Sequence, residues 1–149
     1  TACAAGTYQP STGQTSCTDA SAGYYVPSTG SASQTACAAG TYQPSTGQTS
    51  CIDAPAGTYV DTSAATSPTD CALGTYQPST GQSSCLDATA GNYVAGSGAI
   101  SQTACAAGTY QSLAQQSSCI DASAGHYADI ASSVSATTLP VVAVIGNSS

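Results

Sequence analysis

Residues 37–51 read CAAGTYQPSTGQTSC, and the same letters occupy residues 3–17. The variants CALGTYQPSTGQSSC and CAAGTYQSLAQQSSC lie at residues 71–85 and 105–119, so that the four segments begin at a constant spacing. A fixed period of this length is typical of repeat architectures, in which one short unit is stacked many times. The repetition therefore decides the fold more than any single motif does.

A glycine and a tyrosine mark a second period that is half as long. The four cysteine-bounded segments are the odd units of this period, and even units with the pattern x-D-A-x-A-G-x-Y alternate with them. A 17-residue unit cannot form a core of its own, so neighbouring units must stack, and one tyrosine per unit offers a large ring for that contact. Each glycine is expected to have a positive φ or to allow close approach of the backbone. The predicted stacking ladder is Tyr8, Tyr25, Tyr42, Tyr59, Tyr76, Tyr93, Tyr110 and Tyr127, and the glycines are Gly6, Gly23, Gly40, Gly57, Gly74, Gly91, Gly108 and Gly125.

The composition excludes several classes of protein. Only 16 of the 149 residues are Leu, Ile or Val, and Phe, Trp and Met are absent. So few large apolar side chains cannot build the core of an ordinary globular enzyme. The absence of Lys and Arg, with a net charge of −7, excludes binding to nucleic-acid phosphates and to anionic lipid. No phosphate-binding loop, nucleophile elbow or pair of catalytic carboxylates occurs, so we predict no enzymatic activity, no catalytic residue and no cofactor.

The eight cysteines are predicted to replace the missing core with a disulfide framework. A shorter step, as from Cys3 to Cys17, alternates with a longer one, as from Cys17 to Cys37, and spacing alone leaves 105 connectivities open. Suppose that every unit once had cysteine at both positions. The positions that now lack cysteine then also form pairs separated by the shorter step, as Ala20 and Gln34 do. Because the loss of a whole bridge is easier to tolerate than the loss of one partner, pairing across the shorter step is favoured. The predicted disulfides are Cys3–Cys17, Cys37–Cys51, Cys71–Cys85 and Cys105–Cys119.

The pattern C-x2-G-T-Y-x4-G-x3-C, followed by x5-G-x-Y, resembles the cysteine-rich repeats of ephrin-receptor-like ectodomains. Tumour-necrosis-factor-receptor and EGF-like modules are more distant relatives of that family. Its units usually read C-x2-C-x2-G-x-Y, so this chain lacks half of the usual cysteines. The resemblance covers roughly residues 1–127. It implies an extracellular array of small disulfide-stapled modules, and such repeats serve as spacers, ligand-binding ectodomains and surface fibres alike.

The residues inside one unit predict a short hairpin. Thr-Tyr-Gln has strand propensity, Pro-Ser-Thr-Gly is a turn signal, and Gln-Thr-Ser-Cys is expected to return as the second strand. The predicted fold class is therefore small, disulfide-rich and all-β, with tandem 17-residue hairpins, paired into 34-residue repeats, stacked into an elongated rod. A flat β-solenoid is the competing geometry, and the bridges within units and the family resemblance favour hairpin modules.

We predict two regions, an array of eight units at residues 1–127 and a C-terminal tail at residues 128–149. Residues 139–145 of the tail form the only concentrated apolar run, which reads as a strand and is too short to cross a membrane as a helix. This run is expected to cap the last repeat, to pair with another subunit or to continue into an absent domain. Because the sequence begins inside a repeat, we expect a processed product or a fragment. The candidates for self-association are Leu139, Val141, Val142, Val144 and Ile145.

Few side chains suggest a ligand site. His126 fills a variable slot, and no C-x-x-C pair accompanies it, so we predict no metal site. A single recurring Asp in each pair of units, as at Asp19 and Asp53, is too sparse for a calcium site. Glycosylation is the better prediction, since an N-x-[ST] sequon ends the chain and Pro-Ser-Thr clusters resemble O-glycan acceptors, although the clusters can also be simple turn formers. The candidates are Asn147, Ser11, Thr12, Ser28, Thr29, Ser45, Thr46, Ser79 and Thr80.

These features predict an extracellular or cell-surface structural glycoprotein that self-assembles into a fibre, filament, hair, sheath or matrix. The expected partner is a second copy of the chain, with a carbohydrate or a protein at the surface as further candidates, and without nucleic acid or direct membrane insertion. One alternative is the spacer or ligand-binding part of a receptor-like ectodomain. The other is an ice-binding solenoid, for which the only candidate rank of threonines is Thr7, Thr41, Thr75 and Thr109.

Overall fold

The computed structural model of the chain describes residues 2–128 and 131–139. Over these residues the chain has no helix and forms eight antiparallel hairpins, each built from two strands of two residues. This confirms the predicted all-β, disulfide-rich class with repeated hairpins. The strands are β1 Thr7–Tyr8, β2 Thr18–Asp19, β3 Tyr24–Tyr25, β4 Thr35–Ala36, β5 Thr41–Tyr42, β6 Ile52–Asp53, β7 Thr58–Tyr59, β8 Thr69–Asp70, β9 Thr75–Tyr76, β10 Leu86–Asp87, β11 Asn92–Tyr93, β12 Thr103–Ala104, β13 Thr109–Tyr110, β14 Ile120–Asp121, β15 His126–Tyr127 and β16 Thr137–Thr138.

The second strand of each hairpin lies later in the chain than the turn pattern predicts. Tyr42 pairs with Ile52 and Thr41 pairs with Asp53, so the return strand begins after Cys51 and not at Gln48. The first two residues of the even-unit pattern thus complete the preceding odd hairpin, and a structural unit is counted from one buried cysteine or alanine position to the next, as in residues 37–53 for the third unit. The disulfide holds Cys51 beside Cys37, which precedes β5, and the chain reaches the position opposite β5 only after that bond. The residues between the strands form a wide loop instead of a tight turn.

Four backbone hydrogen bonds join each unit to the next. The same four bonds recur at all seven junctions between the eight units. Strand pairing is antiparallel within each unit, whereas a flat β-solenoid pairs strands of successive units, so the hairpin-module geometry describes this chain. At the junction of the third and fourth units the bonds are Gly40 N to Val60 O (2.8 Å), Gln43 N to Ala65 O (3.0 Å), Ala54 N to Gly40 O (2.9 Å) and Ala64 N to Cys37 O (2.8 Å).

The interior of the array consists of two thin columns of side chains. One column lies three positions before each repeat glycine and alternates cysteine with alanine; the other lies three positions after it and alternates glutamine with valine, until an alanine ends it. Among the described residues Val26 is the largest aliphatic side chain that is fully buried. The buried members are Cys3, Ala20, Cys37, Ala54, Cys71, Ala88 and Cys105 in the first column, and Val26, Gln43, Val60, Gln77, Val94, Gln111 and Ala128 in the second.

All eight repeat glycines have a positive φ, and the six from Gly6 to Gly91 also lie close to another part of the backbone. Gly40 has a φ of 88°, and a Cβ atom added there would overlap the carbonyl oxygen of Gly81, two units further along the chain. The same contact joins Gly6 to Gly47, and it continues along the array as far as Gly91. Any larger side chain would force the backbones apart. Each of these units therefore contacts the unit two positions ahead as well as its immediate neighbour.

The last hairpin extends beyond residue 127, the predicted end of the array. Its second strand is Thr137–Thr138, paired with His126–Tyr127, and the Leu139 amide donates to the Gly125 carbonyl as the equivalent residues do in earlier units. Leu139 is exposed. The other self-association candidates, Val141, Val142, Val144 and Ile145, lie outside the described residues.

Candidate functional site

The structure contains four disulfide bonds, and each closes one odd unit with a sequence separation of 14. They are Cys3–Cys17, Cys37–Cys51, Cys71–Cys85 and Cys105–Cys119. The positions that lack cysteine favour the same pairs. The first cysteine of every pair is buried between units, and the second lies at the more accessible end of the hairpin loop. The sulfur links therefore fasten the exposed loops to the buried column.

Two of the even units replace the disulfide with a hydrogen bond that the cysteine spacing does not predict. Gln34 stands at the second cysteine position, and its Oε1 accepts a 2.7 Å hydrogen bond from the amide of Ser21, the residue after buried Ala20. Gln102 Oε1 accepts the equivalent bond from the Thr89 amide at 2.8 Å. The available signal was the presence of glutamine at two of the vacant cysteine positions.

In odd units a buried glutamine holds the hairpin loop in shape. Gln43 lies where even units have valine; its Nε2 donates to the Ser50 carbonyl (2.9 Å) and its Oε1 accepts from the Ser45 amide (3.1 Å). Gln77 and Gln111 make the same pair of bonds. Because both ends of the buried amide are satisfied, this polar group costs little to bury.

The repeat tyrosines face different partners in the two kinds of unit. In three of the four odd hairpins the tyrosine pairs across the strands with an exposed aliphatic residue, as Tyr42 does with Ile52. The first odd hairpin and the even hairpins place threonine there, as in Tyr25 opposite Thr35. The tyrosines of the first seven units are half-buried and Tyr127 is exposed; ring stacking between them stays a prediction. The exposed aliphatic partners, here called the aliphatic row, are Ile52 (44% exposed), Leu86 (47%) and Ile120 (47%).

Two equivalent shallow grooves lie between an even unit and the following odd unit. One, of about 470 Å³, is lined by Tyr25, Thr35, Thr41 and Cys51 among others. The other, of about 450 Å³, has the corresponding residues around Tyr93. Their linings are uncharged and include tyrosine, alanine and hydroxyl side chains. Groove linings of this kind suit a neutral amphipathic ligand better than a charged one.

The threonine rank proposed for ice binding has its hydroxyls engaged within the chain. Thr7, Thr41, Thr75 and Thr109 each donate to the carbonyl three positions earlier, at 2.8–2.9 Å. Thr75 is buried as well. A rank of hydroxyls that is already hydrogen bonded to the backbone does not favour the ice-binding interpretation.

The remaining candidate residues occupy the surface. His126 is exposed in β15, and within residues 2–128 and 131–139 no three His, Cys, Asp or Glu side chains gather as a metal site would require. The Ser and Thr candidates for glycosylation are all exposed in the hairpin loops, whereas Asn147 lies outside the described residues. The described residues also include no helix long and apolar enough to span a bilayer.

Comparison with known proteins agrees with the repeat geometry. The family model described as tyrosine-protein kinase ephrin type A/B receptor-like matches residues 1–37, 23–71 and 69–105. No curated protein shows significant similarity to the chain. The matched module is a non-catalytic, disulfide-rich type associated with extracellular receptor-like proteins. The three matches span well over half of the sequence, and the chain therefore belongs to the ephrin-receptor-like cysteine-rich repeat family.

Proposed function

We propose that the chain is an extracellular structural repeat array that forms a segment of a surface fibre, sheath or matrix. The observation that carries this proposal is the uniformity of the junctions. The same four backbone hydrogen bonds recur at every junction of the eight described units, and the glycine contact two units ahead recurs along most of the array. Such repeated near-neighbour contacts suit a stiff spacer, because stability accumulates along the array instead of around one centre.

The similarity of the units supports a structural role over a specific binding role. A binding site needs residues that distinguish one unit from the others. Odd units one and three have identical letters from the first cysteine to the second. Such sameness serves a spacer, and the proposed role needs no cofactor and no catalytic group.

Self-association of the array is supported by the aliphatic row. Ile52, Leu86 and Ile120 are exposed and occupy the same position in three of the four pairs of units, each beside a half-buried tyrosine. Exposed apolar groups that repeat at the period of the array are matched best by a second array of the same period.

Electron microscopy and sedimentation of the purified protein test this proposal. Rods that associate into filaments or sheets as concentration rises are the expected result. Compact particles that remain monomeric at every concentration would overturn the structural assignment.

A ligand-binding receptor-like ectodomain is the second candidate, and the pair of grooves around Tyr25 and Tyr93 favours it. Asp70 occupies the equivalent position in the 34-residue repeat that lies between the two grooves, where the grooves themselves have Ala36 and Ala104. A neutral ligand that uses these grooves should bind with two sites per chain, and A36D should remove one of them. Binding that is unchanged by both A36D and A104D would eliminate this candidate.

A further inference from the structure

Two groups of hydroxyl side chains in the array differ in their hydrogen bonding. The first group donates to nearby carbonyls; Thr41 and Thr58, for example, donate to the carbonyl three positions earlier at 2.8 Å. The second group lies at the exposed tips of the hairpin loops, in the four turns with the sequence Pro-Ser-Thr-Gly. Within the described part of the chain the hydroxyls of this second group have no hydrogen-bond partner. These turns span residues 10–13, 27–30, 44–47 and 78–81.

The shape of these turns does not depend on their hydroxyls. In the third unit the Ser45 amide is held by Gln43 Oε1 at 3.1 Å, and the Gly47 amide donates to the Ala20 carbonyl at 2.7 Å. Gly47 has a φ of 69°, which glycine adopts at little cost. Glutamine, glycine and the fixed φ of Pro44 therefore form the turn. A turn-forming role explains the proline and glycine, whereas the exposed hydroxyls of Ser45 and Thr46 take no part in forming the turn.

We propose that the serine and threonine of these four turns are sites of O-glycosylation. Pro-led Ser/Thr clusters are typical acceptors of O-linked sugars, and an acceptor must be accessible to a transferase, as these exposed loop tips are. The inference rests on the extracellular assignment, because sugars are added in the secretory route, but it does not depend on self-assembly. The eight acceptors are Ser11, Thr12, Ser28, Thr29, Ser45, Thr46, Ser79 and Thr80.

The chemistry is a group transfer from a sugar nucleotide. The hydroxyl oxygen of Thr46 forms a bond to the anomeric carbon of the sugar, and the bond from that carbon to the nucleoside diphosphate breaks. A base of the transferase takes the hydroxyl proton, and the nucleoside diphosphate leaves with the bonding electron pair. The chain supplies the acceptor oxygen and the accessible turn, whereas the transferase and the sugar nucleotide supply the rest.

The fourth unit contains a matched control. Its turn, Asp61-Thr62-Ser63-Ala64, places two exposed hydroxyl residues at the same loop positions as Ser28 and Thr29 of the second unit, which is also an even unit. In the fourth unit, however, an aspartate replaces the proline. The proposal assigns sugar to the turn of the second unit and none to Thr62 and Ser63. Because the two loops have equivalent positions in the repeat, the comparison sets the Pro-Ser-Thr-Gly sequence against a turn without proline at the same place.

Mass spectrometry of the full chain isolated from its native cells tests the proposal. The expected intact mass exceeds the sequence mass by a whole number of sugar residues, and fragmentation that retains the sugars should place them on the four turns. The double variant S28A/T29A, produced in the same cells, should lose the sugar of one turn, whereas T62A/S63A should lose none. An unmodified mass, sugar confined to Asn147, or sugar on Thr62 or Ser63 would each overturn the assignment. Because the readout is covalent mass, it is independent of whether the chain assembles.

Discussion

The amide of Ser21 donates a 2.7 Å hydrogen bond to Oε1 of Gln34. Gln34 corresponds to Cys17 of the preceding unit, and Ser21 directly follows Ala20, which corresponds to Cys3. One backbone geometry therefore accepts either closure: odd units use sulfur, and two of the even units use a glutamine side chain. The Cα–Cα separation of the bridged cysteines is 5.7–5.8 Å in all four cysteine-bearing units.

A fifth disulfide should form when Ala20 and Gln34 are both replaced by cysteine. Ala20 is fully buried at the position of the first cysteine, so A20C/Q34C restores the arrangement of the odd units. Closing a loop of this size contributes about 3 kcal/mol in the chain-entropy model, and the lost hydrogen bond subtracts about 1 kcal/mol. Denaturant unfolding should show a net gain of about 2 kcal/mol, and thiol titration should find no free cysteine.

The single variant A20C controls for the added sulfur. It should retain one free thiol and gain no stability, because its neighbour is still Gln34. Two titratable thiols in the folded double variant would show that even and odd units do not share this geometry.

Gly40→Ala should be among the most damaging single substitutions in the array. The new Cβ would overlap the Gly81 carbonyl, and a positive φ adds about 1–2 kcal/mol for an L-residue. The expected loss of unfolding free energy is about 3 kcal/mol or more. Gly13→Ala is the matched control, since Gly13 has a φ of 78° but none of the described atoms lies within 4 Å of its added Cβ. Equal losses for the two variants would mean that the contact two units ahead carries no energy.

The aliphatic row should control lateral association. Replacing Ile52, Leu86 and Ile120 with threonine copies the first odd unit, which already has Thr18 at this position opposite Tyr8. The triple variant should keep the disulfides and, at concentrations too low for assembly, the thermal midpoint of the parent chain. It should sediment as a monomer at concentrations where the parent chain assembles. Ile100→Thr, which removes an exposed isoleucine outside the row, should leave assembly intact. If the triple variant assembles like the parent, the row is not the contact between copies.

The period, the disulfide pairs and the hairpin repeats were predictable because each leaves a local mark in the sequence. The position of the return strand was not, because strands of two residues such as Thr18–Asp19 and Ile52–Asp53 are too short to leave an alternating pattern in the sequence. The contact of Gly40 with Gly81 joins units that are not neighbours, and spacing within a repeat does not indicate which distant unit approaches. The aliphatic row was missed because one apolar residue in every second unit leaves no periodic signal within a single strand.

The most direct test of the account is a disulfide map of the unreduced chain after cleavage on the amino side of aspartate. This cleavage releases four peptides that contain two cysteines each, namely residues 1–18, 19–52, 70–86 and 87–120. If each disulfide lies within one unit, the four peptides separate from one another, and each is lighter than its reduced form by the mass of two hydrogen atoms. Peptides that remain joined to one another, as a bond between Cys17 and Cys37 would require, or peptides with free thiols, would contradict the claim that near-neighbour disulfides replace a hydrophobic core.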